Sequence, residues 1–182
     1  MEKTTRRVED KMDSFEQVLP KLVKIPLFEA FNPENEEDKR ILKQVYEHLS
    51  VEKFKAGQAI IKEGEAGDVF YILYSGEVLI TRQTPAGDVI ALATLNSAMN
   101  IFFGEMAIIS NDVRSATVTA KTECSTLVIA GQNFLDLCEK EPVLGYRTLL
   151  VLAKRLTKTV RDVNKDKAIL YEALCNEIEI GV

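Results

Sequence analysis

The run Ala56-Gly57-Gln58-Ala59-Ile60-Ile61-Lys62-Glu63-Gly64-Glu65-Ala66-Gly67-Asp68-Val69-Phe70-Tyr71-Ile72-Leu73 sets glycines at three turn points and then a β-favouring stretch, Val69 to Leu73. Turn residues bounding short apolar segments mark strands joined by tight turns. The rhythm extends in both directions. Apolar or alternating segments lie around Phe54, Ile60-Ile61, Phe70 to Leu73, Val78 to Thr81, Val89 to Leu95, Ala116 to Ala120 and Leu127 to Ile129, with Ser75-Gly76 and Gly87-Asp88 between them. This spacing predicts an all-β sandwich or barrel over residues 51–131, not βαβ units. The glycines themselves read as architectural, required by the turns.

Further along, Gly104-Glu105-Met106-Ala107-Ile108-Ile109-Ser110-Asn111-Asp112-Val113-Arg114-Ser115-Ala116 carries charge where a core does not welcome it. Glu105 is the lone ionisable residue between Ile101 and Ile109, and an isolated carboxylate in an apolar run calls for a partner. Residues 105–109 favour about one helical turn, whose first N–H groups attract an anion. Asn111-Asp112 supplies a turn. A strand beginning at Arg114 would place Arg114, Ala116, Val118 and Ala120 on one face. A guanidinium on an apolar face needs an anion, and its planar fork suits phosphate or carboxylate. The residues alone leave two partners open: a ligand, or Glu105 itself in a structural ion pair.

Both stretches resemble the cyclic nucleotide-binding domain family, of the catabolite activator protein and protein kinase A regulatory subunit type. The second is similar to that family's phosphate-binding cassette, with Gly-Glu, a short apolar helix and Arg-Ser-Ala in order. The first shares the family's glycine spacing before an aromatic strand. The resemblance implies a mainly β fold with flanking helices: a β jelly-roll barrel with a cassette at 103–116. It implies cAMP as ligand, with cGMP open because cGMP-selective relatives often carry Thr where Ser115 stands. In that reading Arg114 meets the cyclic phosphate. The N–H groups of Met106, Ala107, Ser115 and Ala116 and the Ser115 hydroxyl complete its cradle. Glu105 accepts the ribose hydroxyl, and Phe103 and Gly104 frame the cassette. Three features depart from the family: Asn100 in place of the usual Gly, a loop over Asn96 to Ile101 about two residues longer, and Val113 in place of a frequent Pro.

Helices are expected on both sides of the strands. Over residues 1–50, Val8, Met12, Phe15, Val18, Leu19 and Leu22 recur at helical spacing from Thr4 to Lys24, ahead of Pro26. Glu34 to Asp38 then opens a second helix carrying Ile41, Leu42, Val45, Tyr46 and Leu49, its carboxylates read as a solvated first turn. Over 132–182, Gln132 to Lys140 forms a short helix, and a long one follows Pro142. Leu149, Leu156, Val163 and Leu170 repeat every seven residues, with Leu152, Thr159, Asp166 and Ala173 three further on, the pattern of a parallel dimer. Thr159 is polar at such a seam, and Val160 beside it is the competing core position. In the family's dimer helix Arg-Arg-Leu and two more residues precede a Thr that reaches the adenine amino group. Lys154-Arg155-Leu156-Thr157-Lys158-Thr159 has the same layout, which by resemblance makes Thr159 the base contact. Val160 stands where the family has a Ser contributed across the dimer.

Composition narrows the function. The chain has 182 residues, 46% of them hydrophobic, enough for one packed domain with helical extensions. A net charge of -5 gives no general attraction to nucleic acid or anionic membrane. Arg147, Lys154, Arg155, Lys158, Arg161, Lys165 and Lys167 make the long helix basic, yet they are read as a solvated face. Only Cys175 to Val182 follow that helix, so a sensory module is expected without the family's DNA-reading helix-turn-helix, and DNA is not expected as a partner. A barrel metalloenzyme needs strand imidazoles, and the single histidine, His48, lies on the helix before the barrel. No nucleophile and base are placed together, so no catalytic residue is assigned and an enzyme is not expected. Cys124, Cys138 and Cys175 show no metal or haem spacing, which leaves no cofactor beyond the ligand. The charged first ten residues are no secretory signal and no apolar run spans a bilayer, so a cytoplasmic chain with reduced thiols is expected.

Overall fold

Two antiparallel sheets share one core, and helices cover the outer face of one of them. The computed structural model describes residues 12–106 and 113–180, with side chains through 176. In chain order the elements are α1 (Phe15–Leu22), α2 (Glu36–Glu47), β1 (Ser50–Phe54), β2 (Ala59–Ile61), β3 (Val69–Ser75), β4 (Glu77–Gln83) and β5 (Val89–Asn96). A 3-10 turn (Ser97–Met99), β6 (Phe102–Phe103), β7 (Thr117–Ala120), β8 (Cys124–Ala130), α3 (Gly131–Lys140) and α4 (Pro142–Ile180) complete them. The sheet orders are β1-β8-β3-β6 and β2-β7-β4-β5.

Period-2 alternation divides the apolar residues of the first sheet between two cores. Phe70 and Ile72 of β3, Phe102 of β6, and Leu127 and Ile129 of β8 face the helices. Tyr71, Leu73, Phe103 and Val128 face the second sheet, where they meet Ile61, Val78, Val118 and Ala120. Phe134 of α3 locks the helical side, its ring 5.4 Å from Phe70 and 6.4 Å from Phe28. Each fully buried aromatic of this kind contributes about 1.5–3 kcal/mol relative to exposure.

Every strand expected from the sequence is present, and β6 is an addition. The helices differ in their details. α1 starts at Phe15, because Ser14 and Gln17 form a capping box that fixes the first turn there; residues 12–14 are not helical, and Thr4 to Lys11 lie outside the described residues. The chain then turns through Ile25, Leu27, Phe28 and Phe31, all buried. The acidic start of α2 is not wholly solvated. Asp38 is buried, accepts from the Asn32 N–H at 2.9 Å and pairs with Arg147 of α4 at 2.8 Å. A second tie runs the other way, from Arg40 of α2 to both oxygens of Glu141 at the α3–α4 junction, at 2.7 and 2.8 Å. The guanidinium holds the Glu141 carboxyl below its ordinary range.

The longer loop before β6 is taken up by the 3-10 turn, which Asn100 closes in the left-handed conformation at φ 51°. Asn is the non-glycine residue best suited to that position. Its side-chain oxygen accepts from Lys21 of α1 at 3.0 Å, and Lys21 also donates to the Ser97 carbonyl, so the loop is anchored to the helical layer.

Candidate functional site

β7 begins at Thr117, three residues later than the alternation at Arg114 predicts. The backbone at 113–114 is engaged elsewhere. Val113 forms an isolated antiparallel bridge with Ala66, the Arg114 N–H donates to the Glu65 carbonyl at 2.9 Å, and the Gly64 N–H donates to the Arg114 carbonyl at 2.9 Å. The segment leading into β3 and the segment leading into β7 are thereby stitched together. That stitching brings the two sequence motifs into contact.

Arg114 is buried, as its place among apolar residues requires, with 9% of its surface exposed. Nη2 donates to the Val69 carbonyl at 2.7 Å and Nη1 to the Gly104 carbonyl at 3.2 Å. The guanidinium lies flat on Gly67: a Cβ there would come within 2.2 Å of Nε and 2.5 Å of Cζ. Gly104, at φ 79°, needs its freedom twice over, for its backbone and because a Cβ would sit 2.8 Å from Nη1. Gly67 thus belongs to the candidate site, although its turn position reads as purely architectural. Arg114 and Gly67 border a cleft of about 210 Å³ that also includes Ile60, Lys62, Glu65, Asp68 and Tyr71. Tyr71 stacks on Phe103 with ring centroids 5.5 Å apart, which carries the cleft floor into the inter-sheet core.

The site predicts a clean variant. Gly67 lacks a positive φ, so Gly67→Ala leaves the backbone unstrained and acts by pushing the guanidinium aside. The expected result is a loss of ligand affinity of about tenfold or more with a fall in stability no larger than that of Arg114→Ala, since the displaced guanidinium gives up the same two carbonyls, measured by titration calorimetry and thermal unfolding.

Glu105 departs from the ion pair that the residues left open. Its carboxylate meets Arg155 of α4, with Nε 3.6 Å from Oε1, and Arg114 is held by backbone carbonyls instead. The Arg155 guanidinium also stacks over the Phe102 ring at 4.6 Å. One long helix therefore touches both the carboxylate of the Gly-Glu pair and β6. The chain turns helical at Met106, but Ala107 and the Asn111-Asp112 turn lie outside the described residues. Ser115 is exposed and Ala116 half-buried at the bend before β7.

Leu144, Thr148 and Leu152 turn one face of α4 into its own domain, and Arg155 continues that face to Glu105. Thr159 lies one turn further along the same face, exposed, its hydroxyl donating to the Arg155 carbonyl at 3.1 Å. Leu152 is buried in the domain's own core, whereas Thr159, Asp166 and Ala173, which follow it at seven-residue steps, are exposed. The apolar stripe left exposed steps by three and four through Tyr146, Leu149, Ala153, Leu156, Val160, Val163, Lys167, Leu170 and Leu174. Val160 lies on this exposed stripe with Thr159 beside it, and Lys167 is the charge within it.

A two-sheet sandwich with a buried arginine lodged between a Gly-Asp turn and a Gly-Glu turn, under a helix that reaches back to the glutamate, describes a class of small-ligand-binding domains. The family profile for the cyclic nucleotide-binding domain matches residues 51–141, half of the chain, and the protein belongs to that family. The family is regulatory and non-catalytic. The chain is 41% identical over 88 residues to a cGMP-dependent protein kinase of Eimeria tenella, covering 48% of this chain and 8% of that protein. It is 40% identical over 98 residues to a cAMP-dependent protein kinase regulatory subunit of Yarrowia lipolytica, covering 54% of this chain and 24% of the relative. The match thus spans less than a quarter of those relatives' lengths. Among solved structures, the N-terminal domain of a transcriptional regulator from Streptomyces coelicolor superposes with a TM-score of 0.65 at 26% identity, covering 76% of this chain and 92% of that one. No group of three or more His, Cys, Asp or Glu side chains suited to a metal occurs among the described residues. No described helix is long and apolar enough to cross a membrane.

Proposed function

We propose that this chain is a cyclic nucleotide receptor, selective for cAMP, that works in the cytoplasm as a homodimer and reports occupancy through α4. The observation that carries the reading is the buried Arg114 guanidinium. It gives two N–H donors to carbonyls, has no further partner for its fork among the described residues, and borders a cleft inside the region that the family profile matches. A cyclic phosphate supplies the anion that such a fork suits. The N–H groups of Met106, Ala107, Ser115 and Ala116 cradle the remaining phosphate oxygens, with Phe103 and Gly104 shaping the entry. The ribose hydroxyl donates to Glu105. The base lies toward α4, where Thr159 follows Arg155 on the face turned to the domain.

Signal transfer follows from one contact. Glu105 is the group that a ribose hydroxyl would reach, and it is held by a side chain of α4. A nucleotide that engages Glu105 therefore alters what holds α4 to the sandwich, and the populations of α4 positions shift accordingly. In this reading the two sheets form the jelly roll of the family and the chain acts as a sensory module.

A cGMP receptor is the second reading, favoured by the cGMP-dependent kinase among the relatives and left open by Ser115. Calorimetric titration of the full chain with cAMP and with cGMP decides between them. Saturable binding of cAMP, tighter than that of cGMP by about tenfold or more, is the expected result. Tighter cGMP binding reverses the assignment. No heat with either nucleotide at millimolar concentration leaves a sandwich that acts only through its helices, and removes the receptor reading.

A further inference from the structure

Residues Ala153 to Asn176 of α4 are exposed along their whole length, and among the described residues the stripe through Val160, Val163, Lys167 and Leu170 joins neither core of the domain. Two charges on this stretch also lack local partners. Ion pairs on a helix form between residues three or four apart. Around Lys167 those positions hold Val163, Asn164, Leu170 and Tyr171; around Asp166 they hold Asp162, Val163, Ile169 and Leu170. Lys167 leans on the Tyr171 ring at 5.6 Å, and no carboxylate among the described residues is paired with it. Asp166 has instead a like charge one turn away, in Asp162.

We infer that two copies of α4 pair parallel and in register, with Lys167 of each copy neutralised by Asp166 of the other. This deepens the dimer reading above and rests on it. In a parallel pair, a side chain on the seam line of Ala153, Val160 and Lys167 enters a hole that includes the facing helix's same seam residue and the residue just before it. For Lys167, the residue just before is Asp166. The two-fold axis makes the contact twice, once from each copy. The antiparallel alternative lacks it. Overlapping the stripe end to end from Ala153 to Leu170 sets Lys167 opposite Leu156, in a stretch whose charges, Lys154, Arg155 and Lys158, are all cations. A single charged residue at one seam position fixes register and orientation at some expense of stability. Val160 on one seam line with Leu156 and Leu170 on the other favours two strands.

Charge exchange in the full chain tests the arrangement by sedimentation equilibrium. Lys167→Glu sets a carboxylate against Asp166 of the second copy, and Asp166→Lys sets an ammonium against its Lys167. Each is expected to weaken the dimer about tenfold or more, and the double exchange to return it to near wild-type strength. All the substituted residues favour helix or improve on the original, so folding is retained. Orientation is read separately with Val163→Cys in a Cys175→Ser background, which yields a disulfide-linked dimer on mild oxidation only if the two Val163 positions face each other. Single exchanges without effect, a double exchange no better than the singles, or no cross-link at position 163 overturns the inference while the dimer stands. A wild-type chain that sediments as a monomer at high concentration removes the dimer reading as well. Nucleotide titration of the same variants keeps both outcomes separate from the receptor assignment.

Discussion

Arg114→Ala is expected to lower cyclic nucleotide affinity by more than about 100-fold, corresponding to about 3 kcal/mol or more. The size follows from burial. With only 9% of the arginine exposed, its fork works largely out of water, and a phosphate brought to it without the guanidinium would lose hydration and gain no countercharge. Arg114→Lys separates charge from shape. A lysine restores a cation but not the planar fork that spans Val69, Gly104 and an anion at once, so its affinity should fall between wild type and alanine. Stability changes less than binding. Removing the guanidinium leaves the Val69 and Gly104 carbonyls without their donor, a cost of about 1–3 kcal/mol. Calorimetry with thermal unfolding measures both quantities. An alanine variant that binds cAMP as tightly as wild type would show that the arginine serves the fold alone.

The architecture was legible because its signals are local. Glycine turns and the short apolar segments they bound, such as Phe70 to Leu73, are properties of neighbouring residues and they place the strands; that Phe70 and Ile72 face the helices while Tyr71 and Leu73 face the second sheet is not written in four apolar residues. β6 escaped for the opposite reason: Phe102 and Phe103 are two residues facing two cores, too few to show a period. The buried run Ile25 to Phe31 escaped because successive turns carry no repeat. What the sequence withheld at the site are contacts between distant residues. Gly67 reads as a turn until Arg114, far along the chain, is seen lying on it. Glu105 could be matched with the nearby Arg114 by sequence, whereas its partner comes from α4. The seven-residue repeat from Leu149 was visible, but that Leu152, three residues on, is buried in the domain's own core was not.

Glu105→Gln should weaken binding of cAMP by about 10- to 100-fold and leave binding of 2′-deoxy-cAMP almost unchanged, because a hydrogen bond to a charged acceptor contributes about 1.5–3 kcal/mol. Arg155→Ala is expected to act in the opposite direction. The Arg155–Glu105 pair is partly exposed, with 46% and 23% of the two side chains accessible, so it contributes only about 0.2–1 kcal/mol. Freeing the carboxylate from it should tighten cAMP binding by up to about fivefold, and again only for the nucleotide with a 2′-hydroxyl. In the double variant the two effects should not add, since both act through one carboxylate. A second readout separates binding from signalling. Hydrogen exchange along α4 should respond to cAMP in the wild type and lose most of that response in Arg155→Ala, even though the nucleotide binds more tightly there. Weaker binding in Arg155→Ala would mean that the arginine orients Glu105 for the ribose. An unchanged α4 response would mean that the helix is moved through other contacts, with Phe102, stacked under the same guanidinium, the next residue to test.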